Sequence, residues 1–79
     1  MVNFEEVIAA ITHEIPDAQV SIEDLNGSGD HLQVNVVSPS FDGLSLIKQH
    51  QMVYKSLANE IATEAIHALA LNTSIPIQD

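Results

Sequence analysis

The 79-residue sequence predicts a two-layer α+β domain, a three-stranded mixed sheet with helices on one face. Three observations predict it. Apolar residues near the N-terminus recur at the spacing of one helical face. Two stretches of apolar–polar alternation flank a glycine-containing loop. A long helical pattern then precedes a short, almost wholly apolar run, "IHALAL". The expected order is α-β-β-α-(α)-β, the bracketed helix standing for a short acidic segment. No repeat, linker or low-complexity tract interrupts the chain, so residues 1–79 read as a single domain.

The first helix is marked by Phe4, Val7, Ile8, Ile11 and Ile15 along one face, with Asn3 and Glu6 in the pattern of a capping box. Pro16 biases Ile15 away from helical geometry and closes the element. "QVSIEDL" (19–25) alternates Val20, Ile22 and Leu25 with polar residues, and "HLQVNVV" (31–37) alternates Leu32, Val34 and Val36 with His31, Gln33 and Asn35. Each reads as a strand with one wet face. Gly27 and Gly29 in the intervening "NGSGD" can take positive φ, which predicts an antiparallel hairpin with His31 at the downstream end of its loop.

"SPSFDG" reads as a turn. A long helix is expected over 44–61, burying a stripe of Leu46, Ile47, Val53, Tyr54, Leu57, Ala58 and Ile61 and leaving Lys48, Gln49, Gln51, Lys55 and Asn59 mostly off it. "IHALAL" (66–71) is the third strand, ending at "NTSIP". Its apolar residues on both faces predict an interior strand, or one covered on both sides.

Composition narrows function. Eleven acidic residues against two lysines and no arginine give a net charge of −9 and a pI near 4.4. Nucleic-acid affinity is carried by Lys and Arg neutralising phosphates, so the balance weighs against DNA or RNA binding. The chain has no cysteine. Disulfides, thiolate nucleophiles and all-Cys metal sites are excluded, and metal ligands must come from His, Asp or Glu. The N-terminus lacks the pattern of a signal peptide and no apolar run is long enough to span a bilayer, so a cytoplasmic protein with no membrane association is the expectation.

Four histidines remain to be weighed. On the residues alone, His67 is a half-buried strand histidine whose ring bonds backbone, and His31 a solvated residue on the polar face of the hairpin. His50, in "KQHQ", suits a surface or helix-packing role. His13, beside Glu14, lies at the end of its helix where the dipole favours positive charge. Glu23, Asp24, Asp30 and Asp42 read as solvated charges, because neither a calcium-loop pattern nor HExxH is present. "NGSG" opens no helix and no lysine follows it, which makes a poor phosphate loop. An enzyme is not expected.

The stretch "FDGLSLIKQHQMVYKSLANEIATEAIHALALNTSIP" resembles the BolA family. The residues that carry the resemblance are Phe41, Gly43, Lys48, His50, Val53, Tyr54, Leu57, Ile66, His67, Ala68, Leu69, Thr73 and Pro76, with "GDHLQVNVVS" similar to the family's second strand. The resemblance implies a type II KH-like fold and a partnership with monothiol glutaredoxins in iron–sulfur trafficking or iron and redox regulation. In such complexes a two-iron two-sulfur (2Fe-2S) cluster is shared with the glutaredoxin cysteine and a glutathione thiol. The BolA-like chain supplies the other ligands, here implied to be His67 and a residue near the first hairpin. Ser28 stands near the place where other members carry Cys, and a serine hydroxyl is a poor iron ligand, which leaves His31 as the donor close by. A pair of imidazoles would resemble Rieske ligation, which raises the reduction potential.

Two further functions come from different classes. A KH-like fold and the family's reputation point to a nucleic-acid-binding transcriptional regulator, against which stand the charge and the scarcity of lysines. A metal-free homodimer or interaction module would use apolar surface left exposed by a small sheet.

Overall fold

The computed structural model describes residues 3–25, 27, 31–58 and 68–77. Helix α1 spans Phe4–Glu14, strand β1 Gln19–Asp24, strand β2 His31–Val37, helix α2 Leu46–Ser56 and strand β3 Ala68–Ser74, with a 3-10 turn at Pro39–Phe41. β1 and β2 pair antiparallel from Gln19 opposite Val37 to Asp24 opposite Leu32, and β2 and β3 pair parallel from His31 opposite Ala68 to Val37 opposite Ser74. The result is a mixed sheet in the order β1-β2-β3, with α1 over β1 and α2 over β3.

Helix α1 begins where Asn3 Oδ1 accepts the Glu5 N–H at 2.8 Å, satisfying a donor that has no partner within the helix. It ends at Ile15, whose N–H still reaches the Ile11 carbonyl before Pro16 diverts the chain. Val7, Ile11 and Ile15 are buried on its inner face and meet Leu32, Val34 and Val36 of β2, with Phe41, Val53 and Leu57 closing the core. Burying a side chain of this size stabilises by about 1.5–3 kcal/mol, so these nine positions dominate the favourable side of folding. Strand β2 is the central strand, with alternate residues fully buried and the others half-buried. On the face away from the helices, Gln33 Nε2 donates to Asn35 Oδ1 and Asn35 Nδ2 to Ser21 Oγ.

The turn after β2 is held from two directions. Ser38 Oγ accepts the Ser40 N–H and itself donates to Asp17 Oδ1, while Ser40 Oγ donates to Asp17 Oδ2 at 2.8 Å. The carboxylate of Asp17 thereby ties the α1–β1 connection to the end of β2. Gly43, with φ of +79°, then takes the left-handed conformation that turns the chain into α2.

Expectations for α2, β1 and β3 are corrected. Helix α2 starts at Leu46 and not at residue 44, because Ser45 Oγ accepts the Lys48 N–H and so caps it; its described part ends at Ser56, and 59–61 lie outside the described residues. The buried stripe is also rotated: Gln49, Val53 and Leu57 face the core at a spacing of four, while Leu46, Ile47, Tyr54 and Ala58 are exposed. Gln49 can be buried because both ends of its amide are satisfied, Nε2 donating to the Leu44 carbonyl and Oε1 accepting from Thr73 Oγ1. Strand β1 stops at Asp24, leaving Leu25 exposed. Finally, β3 runs through Ser74, three residues beyond "IHALAL", and is an edge strand with Ala70 exposed, not an interior one. Small alanines had made it look apolar on both faces without needing cover on both.

Candidate functional site

The hairpin loop is closed from its first side by Asp24, whose Oδ1 accepts the Gly27 N–H at 2.9 Å, with Gly27 at φ of +80°. From the other side the Leu25 N–H donates to the His31 carbonyl at 2.8 Å. These bonds place His31 as the first residue of β2, half-buried at the end of the loop. Its partner across the parallel ladder is Ala68, the first residue of β3. Neighbouring strands lie about 4.8 Å apart, so the hairpin end and the start of β3 share one row of the sheet.

His67 precedes Ala68 in the chain and lies outside the described residues, as do Ser28, Asp30 and Ile66. Of the two implied ligands, only His31 is therefore given a position. The other histidines are placed elsewhere: His50 is half-buried midway along α2, and His13 is exposed at the end of α1, with Nδ1 3.9 Å from Glu14 Oε1. Glu23 and Asp42 are exposed, and among the described residues no three His, Asp or Glu groups converge on a common point. Imidazole nitrogens suit iron, and the chain offers imidazoles and carboxylates but no thiolate.

Both lysines, Lys48 and Lys55, line a shallow groove of about 340 Å³ along α2 with Leu44, Gln51 and Met52. No second cluster of positive charge is available, since these are the only Lys or Arg residues of the sequence. The fold changes the acidity of Asp17. Hydrogen bonds from the Ser38 hydroxyl first, and then the Ser40 hydroxyl, hold its pKa below the ordinary carboxylate value. Its carboxylate joins the α1–β1 connection to the turn after β2.

Two features escaped the sequence reading. Gln49 and Thr73 form a polar bridge between α2 and β3, for which the one signal was the spacing of Gln49 with Val53 and Leu57. Ile47 and Tyr54 form an exposed apolar flank on α2, which helical periodicity alone assigned to the core.

The family model described as "BolA-like protein" matches residues 3–78. An uncharacterised protein of Rickettsia prowazekii, RP812, is 34% identical over 76 residues, spanning 95% of this chain and 97% of that one. A BolA-like protein of Dictyostelium discoideum is 34% identical over 77 residues; the match takes in 98% of this chain but 60% of the longer relative. Among solved structures, BolA1 from Arabidopsis thaliana superposes with a TM-score of 0.82 at 27% identity, covering 100% of this chain and 99% of that one. No helix among the described residues is long and apolar enough to cross a membrane.

Proposed function

The chain belongs to the BolA-like family, and from that premise we propose that it is a non-enzymatic partner of a monothiol glutaredoxin. It lends His67 to a 2Fe-2S cluster otherwise held by the glutaredoxin cysteine and glutathione, with His31 as its second ligand. The observation that carries this reading is the parallel register of His31 with Ala68, the residue that follows His67. His31 thus stands opposite the residue that follows His67 in the sequence, on a strand that fixes its ligand direction. The absence of cysteine makes the partner obligatory, because two imidazoles cannot replace the thiolates that complete such a cluster. The bound group would supply the redox chemistry; this chain's residues orient it and set its donor set.

The test is to titrate cluster-loaded glutaredoxin with this protein and follow visible absorption and circular dichroism. A new spectrum that His67→Ala abolishes and His31→Ala alters is expected. A simple sum of the two components, or a new spectrum indifferent to His67→Ala, overturns the reading.

A further inference from the structure

We propose that the outer edge of β3, roofed by the exposed flank of α2, is a docking groove for one extended, net-basic strand of another protein, which adds to the sheet as a fourth strand. Two independent features meet there. The sequence of β3, "ALALNTS", runs seven residues without a charge or a proline, and among the described residues nothing pairs with its outer edge. The opposite edge strand, β1, carries Glu23 and Asp24, the kind of charge that discourages further pairing. The sheet is thus guarded on one side only.

The second feature is the flank of α2. Successive residues of a helix are about 100° apart. Met52, to one side of buried Val53, is half-buried and packs against the core; Tyr54, to the other side, is 41% exposed, and Ile47, two turns before it on the same line, is 71% exposed. Helices α1 and α2 touch, with α1 over β1 and α2 over β3. The right-handed sense expected of the β2–α2–β3 crossover turns the Met52 flank toward α1 and the Ile47 and Tyr54 flank toward the outer edge of β3.

Geometry and charge select the occupant. A strand added to β3 lies about 4.8 Å beyond it, on the side to which Ile47 and Tyr54 are turned, where every second side chain would meet them. A second copy joined antiparallel edge to edge would bring its own α2 onto the same face, far nearer than the 8–10 Å that packed helices require. The space takes a bare strand and excludes one that carries its own helix. With a net charge of −9, the chain attracts a cationic segment and repels an anionic one. Main-chain hydrogen bonds along the edge would supply affinity, and the flank would favour apolar residues at alternate positions.

The probe is a synthetic seven-residue peptide alternating valine and lysine, compared with one of equal charge whose central valine is proline. Calorimetry and amide hydrogen exchange are read on the full chain, without metal. Tighter binding of the all-valine peptide by about tenfold is expected, with slowed exchange at alternate β3 amides and a loss of about tenfold in Ile47→Asn and Tyr54→Ser. Both substitutions are at exposed positions, and unchanged circular dichroism would confirm that they fold. Equal binding of the two peptides, unchanged β3 exchange, or β3 amides already protected in a dimer of this chain would each overturn the proposal. None of these measurements involves a cluster or glutaredoxin, so the result stands apart from the proposed function.

Discussion

Thr73 Oγ1 donates to Gln49 Oε1 at 2.8 Å, joining the edge strand β3 to helix α2 through a buried amide that also holds the Leu44 carbonyl. A buried amide oxygen without a donor is costly, so the bridge is worth more when broken from one side than its net contribution to folding. Thr73→Val should lower stability by about 1–3 kcal/mol. Combined with Gln49→Met, the loss should fall short of the sum of the single changes by about 0.5 kcal/mol or more, because the second change removes the group left unsatisfied. Urea unfolding of the wild type, both single variants and the double variant measures the coupling; strict additivity would contradict a direct bond.

At Gly43 the backbone, and not space, sets the constraint. Its φ is +79°, and an added Cβ would meet nothing within 4 Å. Gly43→Ala should therefore cost about 1–2 kcal/mol from left-handed strain alone, and Gly43→Asn less, since Asn tolerates this region better. Thermal unfolding of the two variants gives the order, which steric crowding would reverse because Asn is the larger.

Asp17 links acidity to stability. Folding lowers its pKa from 3.8 through the Ser38 and Ser40 hydroxyls, so the native state binds this proton less readily than the unfolded chain. Its stabilisation is fully present above the unfolded value and is lost as pH falls through the lower folded one. The stability gap between wild type and Asp17→Asn should thus be constant from neutrality to about pH 5 and shrink on further acidification. Urea midpoints across that range check it; a gap that widens toward low pH would assign the opposite sign.

Nucleic acid should bind feebly. Lys48 and Lys55 are the only lysines, on one side of α2, in a chain of charge −9. Fluorescence anisotropy with duplex DNA near physiological salt should give a dissociation constant weaker than about 100 μM. Micromolar binding that weakens steeply with salt and is lost in Lys48→Gln/Lys55→Gln would restore the transcriptional-regulator reading.

Much of the fold is legible locally. The alternation in β2 maps residue by residue onto its burial pattern, and Asn3, Pro16 and Gly43 act where their side chains or backbone freedom predict. Where the reading of α2 failed, the cause is a property of helices: Leu46, Ile47 and Tyr54 satisfy a broad apolar periodicity as well as the narrower Gln49–Val53–Leu57 line does, and a buried Gln scores as polar until its partners are known. For the candidate site, the "IHALAL" resemblance singled out His67, which lies outside the described residues, while the position of His31 opposite Ala68 depends on strand register across the α2 crossover.

The sequence by itself determined the kinds of elements, the α+β class, the strong negative charge and the lack of thiolate ligands, since periodicity, turn chemistry and composition act over a few residues or none at all. Only the tertiary structure decided which line of α2 faces the core, that β3 is an edge, and that His31 stands opposite Ala68. Those outcomes depend on contacts between residues far apart in the chain. Bonds such as Thr73 to Gln49 and the pairing of β2 with β3 form only when both partners have been brought together, and no local pattern encodes the partner.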